Sequence, residues 1–392
     1  MSEFIKPRGA FRDGSYWIYS SILLAIFITT SSPYNYLIAL TQGFADVNSY
    51  LKIAQAQDYN AFYLLSQDIQ LHHLERWPIH VLVGKITSLS KWDIWVVYKS
   101  AILICIFLAT ILIANLKCST PQKLAYLTLV MFNPYTFRIY YGVPAMLSDC
   151  IFYVCIIGFS VAIVNHHFFL ITLFALFACL SRQTGVMLIP ILLVYAYQKK
   201  ISFAYISASL ISVLFGFIFI KSSTYFLFQP TENAYLSRVL LGIFYWAAGA
   251  PHLNEFSDFI GRFILMILTL TPLLIIVNKV KKSDWFYILG FCLILLQPLL
   301  GGPMITGGNI DRLAIYGLPL LGLILINRHI CLKQLILFIA LVIACSFHPH
   351  LTVLQNLDFN REAYVFLVLI AACISCVIWI KNILTKPVGV SS

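Results

Sequence analysis

Long apolar runs recur along the whole chain, and they decide what it can fold into. Each lies near the ~20-residue length that crosses a bilayer as a helix. They read as spans at Tyr16–Leu40, Ile94–Leu116, Lys123–Tyr140, Asp149–Asn165, Phe168–Arg182, Gly185–Tyr197, Phe203–Lys221, Phe259–Val280, Trp285–Leu300, Leu313–Asn327, Leu332–Phe347 and Ala363–Ile380. A soluble domain of 392 residues cannot hide a sequence that is 60% hydrophobic and 10% charged. The runs are continuous, whereas a membrane barrel would show short alternating segments. The expected fold is all-α: a polytopic helical membrane protein of about 12 transmembrane helices, forming one integral-membrane domain over residues 1–392.

The charges predict the topology. Lys6, Arg8 and Arg12 precede the first run, with no small-residue cleavage site after it, so it reads as an uncleaved span. With the N-terminus inside, the inner segments hold Lys117, Lys123, Lys199, Lys200, Lys279, Lys281, Lys282, Arg328, Lys333, Lys381 and Lys386 besides those three. That is fourteen cations against the three acids Glu3, Asp13 and Asp284, an excess equal to the net charge of +11. The basic balance is therefore a positive-inside and anionic-lipid signal rather than a nucleic-acid footprint. Both termini are expected to be cytoplasmic. The long connections Thr41–Lys91, Ser222–Asp258, Gly301–Arg312 and Pro349–Glu362 then all fall outside, where loops can carry function. Seven of the ten cysteines lie within apolar runs, and none forms a Cys-x-x-Cys pair with matching His ligands, so no disulfide framework is expected.

The first outer loop, residues 41–91, is polar but patterned. Apolar residues recur at Val47, Tyr50, Leu51 and Ile53–Ala54, and again at Phe62, Tyr63, Leu65 and Ile69. This spacing predicts short helices lying in the membrane interface. Asp46 falls at the N-cap of the first, where a carboxylate can cap and still offer its second oxygen. His72, His73, Glu75 and Arg76 form a dense group before Trp77-Pro78, expected to be a solvated interfacial segment. Neighbouring His residues on a helix point apart and make a poor metal pair.

Other isolated charges stand out. Arg138 lies in FNPYTFRIYYG, and Asp149 opens a span, where a helix N-terminus favours an acid. Arg182 lies between two apolar stretches, a costly position that calls for a partner or an anionic ligand, with Gln183 and Thr184 as further donors. Asp311-Arg312 follow the glycine-rich GGPMITGGNI, readable as an internal ion pair or as an arginine facing a phosphate. An acid to accept a hydroxyl proton, with cations to hold a phosphate leaving group, is the minimal equipment for glycosyl transfer from a lipid phosphate.

The order of these elements resembles the GT-C superfamily of integral-membrane glycosyltransferases. The resemblance is carried by GFADVNSYLKIA after the first span, ERWPIHVLVGKI, FNPYTFRIYYGVPAMLSDCIFYV, FACLSRQTGVMLIP and NIDRLAIYGLPLL. The last elements are similar to the GPI-mannosyltransferase branch and its bacterial relatives. It implies a core over residues 14–200, including the outer loop 41–91, and variable C-terminal helices over 201–392. It also implies a polyprenyl-phosphate sugar donor, a glycan or lipid-linked acceptor, and inverting direct displacement. Asp46 would be the catalytic base. Arg182 and Arg312 would contact donor phosphate, and Arg76, Asp149 and Gln183 would line the same substrate-binding cavity. No second acid adjoins Asp46, so a divalent metal site is not evident and no cofactor is expected. The expected location is a bacterial inner membrane with the site facing the periplasm. Two alternatives stand beside this one: a Wzy-type envelope polysaccharide polymerase, and a non-enzymatic flippase or transporter of lipid-linked sugars.

Overall fold

In the computed structural model the described residues are 14–31, 45–56, 59–69, 71–199, 201, 203–229, 253–306, 310–349 and 360–384. The principal helices are α1 (Gly14–Thr30), α2 (Ala45–Gln55), α3 (Tyr59–Asp68), α4 (Trp77–Ser90), α5 (Ile94–Ala114), α6 (Thr120–Phe132), α7 (Leu147–Asn165) and α8 (Phe168–Ser181). They continue as α9 (Leu188–Lys199), α10 (Phe203–Phe228), α11 (Leu253–Leu268), α12 (Trp285–Thr306), α13 (Ile310–Ala314), α14 (Leu332–Cys345) and α15 (Arg361–Leu384). Among the described residues, six segments are helical, long and apolar enough to cross a bilayer, and α1, α8 and α14 are shorter apolar helices. The architecture is that of an all-α membrane protein.

Burial orders the bundle. Helix α7 is its centre, with 89% of its spanning window buried, and it packs between α5 and α8. Helices α10 and α15 lie outside, with windows only 22% and 28% buried. Their outward residues are nonetheless apolar: Ile211, Phe215, Ile218 and Phe226 on α10, Phe366, Ile370 and Val377 on α15. Continuous exposed apolar faces of this kind suit lipid and not water.

Several expected spans differ in detail. The run Lys123–Tyr140 is not one helix. Pro134 cannot donate to the carbonyl of Val130 and forces Asn133 into an extended conformation, so α6 stops at Phe132. The Asn133 side chain accepts from Tyr135 N at 3.1 Å, and the Thr136 hydroxyl donates to the freed Val130 oxygen at 2.9 Å. A wide turn, Pro134–Arg138, follows. Gly185 allows a second break. A Cβ there would lie 2.6 Å from Cys179 N, so only glycine lets the turn Gln183–Met187 fold back on the end of α8. Helix also extends past two expected loop starts, to Phe228 in α10 and to Thr306 in α12.

The described parts of the first outer loop are mostly helical, as its spacing predicts, but the apolar face of α2 is buried in protein. Val47, Tyr50 and Ile53 are fully covered, and α2 packs directly on α4. The contact is close because Gly84 has no side chain: a Cβ would fall 1.7 Å from the Ala54 carbonyl oxygen.

Candidate functional site

Helices α7 and α8 form an antiparallel hairpin through His166–His167, so the start of α7 and the end of α8 share one end of the bundle. That end also receives the turn before α4 and the start of α13. The basic connections gather at the opposite end. There Arg328 pairs with Asp284, Lys281 Nζ donates to Asn327 O at 3.0 Å, and Gln122 Nε2 donates to Ile326 O at 2.8 Å.

At the first of these ends, three guanidinium groups surround Asp149. Its carboxylate sits in the first turn of α7 with its side chain 1% exposed. Arg182, extended at the end of α8, donates from Nη1 to Asp149 Oδ1. Arg76 Nη1 lies 3.5 Å from the same oxygen, and Arg312 Nη1 lies 3.7 Å from Oδ2. At those two distances neither fork is docked bidentately on the acid. The planes of the guanidinium groups are braced by other contacts. Arg182 stands over the Tyr316 ring at 4.9 Å, Arg76 over the Tyr50 ring at 5.5 Å, and Arg312 Nη1 meets Met146 Sδ at 3.1 Å.

A second ionic group adjoins the first. Glu75, next to Arg76 in the chain and 1% exposed, accepts from Gln183 Nε2 on one oxygen and from Lys221 Nζ on the other. Lys221 comes from α10, so this carboxylate joins α10 to the segments holding Arg76 and Arg182. Together Arg76, Arg182, Arg312 and Lys221 face Asp149 and Glu75: four cations against two carboxylates. Next to them, the His80 ring is stacked on Tyr50, with centroids 4.3 Å apart, and His80 Nδ1 is 2.8 Å from Tyr98 Oη. Helix α4 is not of spanning length. Burial, reinforced by the Arg76 charge, pushes the His80 imidazole down to about 3, so it is neutral at physiological pH.

This group is suited to holding an anion with two or more oxygens. Guanidinium forks match phosphate geometry, and burial reduces the screening that weakens such contacts in water. Among the described residues no three His, Cys, Asp or Glu side chains gather as a metal site.

Five residues singled out in the sequence are thus neighbours: Arg76, Asp149, Arg182 and Arg312 directly, and Gln183 through Glu75. Asp46 lies in α2, one helical turn before Tyr50, and its side chain lies outside the described residues. Two expectations are corrected. The segment before Trp77 is not solvated, since His73, Glu75 and Arg76 are all buried. Asp311 and Arg312 are not a side-chain ion pair. Asp311 Oδ1 accepts the Arg312 backbone N–H at 2.8 Å, and the guanidinium turns to Asp149. Arg138 stands apart. It donates to Ser31 Oγ at 3.1 Å and Ser346 Oγ at 2.9 Å, tying the ends of α1 and α14 to the wide turn. Lys221, Tyr316 and Met146 were not foreseen. The signal for Lys221 was available, since it is a lone cation within an apolar helix.

In comparisons with known proteins, no family model, no curated protein and no solved structure matches this chain.

Proposed function

We propose that the protein is a membrane glycosyltransferase of GT-C type. It would transfer a sugar from a polyprenyl-phosphate-linked donor to a glycan or lipid-linked acceptor. The observation that supports this most is the convergence of Arg76, Arg182 and Arg312, from three distant stretches of chain, on one buried Asp149. Three mutually repelling cations are brought together only where an anion holds them, and Asp149 is the resident one. A donor phosphate entering beside it would meet arginine forks already oriented.

In this reading Asp46 takes the proton from the acceptor hydroxyl, and that oxygen attacks the anomeric carbon. The bond from that carbon to the phosphate oxygen breaks, and its electron pair leaves on the polyprenyl phosphate. The donor phosphodiester carries one negative charge and the departing monoester approaches two. The arginines therefore bind the transition state more strongly than the ground state, which is the condition for catalysis. Asp149 keeps the forks in place, and Gln183 and Glu75 brace the neighbouring turn. The polyprenyl chain would lie between helices. In this reading the charge group, which lies at the end of the bundle opposite the basic connections, would face the periplasmic side of a bacterial inner membrane, with both termini cytoplasmic.

The test is sugar transfer from a labelled polyprenyl-phosphate sugar by purified wild-type protein, Asp46→Asn and Arg182→Gln. Loss of a developing-charge contact of this kind costs about 10²–10³ in rate, and Arg182→Gln is expected to fall in that range. Equal rates for Asp46→Asn and wild type would remove Asp46 as the base. Full activity of Arg182→Gln would remove the phosphate role. In cells, deletion that abolishes polymer while sparing single repeat units would assign the chain to the polymerases instead.

A further inference from the structure

Among the described residues, the buried polar atoms without a hydrogen-bond partner include Tyr50 Oη and His80 Nε2, on adjoining rings beside Arg76, as well as Ser148 Oγ, Tyr140 Oη and Tyr316 Oη. Buried polar groups are nearly always satisfied, and two orphans on a pair of stacked rings call for a cause. Both residues are fully covered, Tyr50 on α2 and His80 on α4. Neither ring is loosely held. Tyr50 lies under the Arg76 guanidinium and edge-on to His73, and His80 Nδ1 meets Tyr98 Oη at 2.8 Å. With one nitrogen engaged by Tyr98, the other is left to donate or accept according to tautomer. The pair thus presents two neutral hydrogen-bonding atoms next to a group of cations, on the two helices whose contact Gly84 makes unusually close.

We propose that Tyr50 Oη and His80 Nε2 form a hydroxyl-binding subsite that reads the sugar attached to the donor phosphate. A ligand bearing a phosphate and, one bond away, a ring of hydroxyls fits this order of chemistry: charged forks first, neutral donors and acceptors beside them. A phosphate alone would leave the two orphans unsatisfied. The atoms are enclosed without ligand, so admission of the sugar requires α2 to shift from α4. The inference rests on the polyprenyl-phosphate reading above.

The experiment compares binding of a polyprenyl-phosphate sugar with binding of the sugarless polyprenyl phosphate. The proteins are wild type, Tyr50→Phe and His80→Asn, each full length in detergent. Phe keeps the ring and removes only the hydroxyl, and Asn keeps a polar atom near the Nδ1 position while removing Nε2. Wild type should prefer the sugared lipid. Each variant should lose about three- to tenfold of that preference, the range for one neutral hydrogen bond, with sugarless binding unchanged. Ligand-free Tyr50→Phe should melt no lower than wild type, because the hydroxyl it lacks has no partner to lose. An unchanged preference in both variants would overturn the subsite, the two atoms then being served by water, and would leave the glycosyltransferase reading standing. A lower Tm for ligand-free Tyr50→Phe would also overturn it, by revealing a partner in the folded state. Failure of wild type to bind either lipid would overturn the subsite and the reading beneath it together.

Discussion

Replacing Asp149 by Asn keeps the shape of the side chain and removes the charge around which three guanidinium groups gather. In an effective dielectric of ~20, a unit-charge pair at 3.5 Å or 3.7 Å is worth about 4–5 kcal/mol before desolvation is subtracted. Desolvation offsets much of this in the intact protein, but removing one partner leaves the other charges buried without it. Breaking such a group typically costs about 3–5 kcal/mol. Asp149→Asn is therefore expected to lose about that much stability, lowering the Tm in detergent by about 4–6 °C for a chain of 392 residues. The companion double variant Asp149→Asn/Arg182→Gln removes the closest cation as well and should recover about 1–3 kcal/mol relative to the sum of the two single changes. Inorganic phosphate should raise the Tm of Asp149→Asn more than that of wild type, because a bound anion replaces the missing charge. The assay is fluorescence-detected thermal unfolding with size-exclusion recovery. A loss under about 1 kcal/mol for Asp149→Asn, or strict additivity of the two changes, would refute a mutually dependent charge group.

Three further predictions follow the same geometry. Glu75→Gln keeps one acceptor oxygen but makes the other position a donor, so Lys221 and Gln183 are no longer both served and the Lys221 charge loses its counter-ion; this should cost about 3 kcal/mol, read as a fall in Tm, with Lys221→Met recovering part of it. His80 has a folded-state value of about 3, below its ordinary 6.5, so the unfolded chain binds the proton more readily. Its contribution to stability is fully present above pH 6.5 and declines as pH falls toward 3. The wild-type Tm should accordingly drop more steeply than that of His80→Asn between pH 7 and 5, and parallel profiles would remove His80 as the cause. Gly84→Ala forces a methyl group against the Ala54 carbonyl and should cost about 1–3 kcal/mol or more, whereas Gly14→Ala, with open space at its Cβ, should be near neutral in the same melt.

Much of the fold was legible in the sequence because its cause is local. The length of an apolar run and the need to satisfy every backbone group inside lipid make it a helix whatever its neighbours are. The recurrence of Val47, Tyr50, Leu51, Ile53 and Ala54 marked one face of α2, and that face is buried. Costly isolated charges such as Arg182 drew notice for the same reason, since their expense is set by the apolar sequence around them. Helix breaks were harder to read. Asn133-Pro134 ends α6 inside what reads as one span, because a side-chain hydroxyl six residues on satisfies the carbonyl that proline abandons.

Partnership was decided only by the tertiary structure. Residues 76, 149, 182 and 312 come from four stretches of chain, and no pattern in any one of them states which others it will meet. Two arginines adjacent to acids in sequence, Arg76 beside Glu75 and Arg312 beside Asp311, both turn to Asp149 instead, while Glu75 takes Lys221 and Gln183. Adjacent side chains on a helix or turn diverge, so a neighbour in sequence is seldom a partner. Composition and spacing determined a helical membrane protein, because that follows from the solvation of each segment alone. Which charges face one another depends on how the helices pack, and that is set by contacts between segments far apart in the chain.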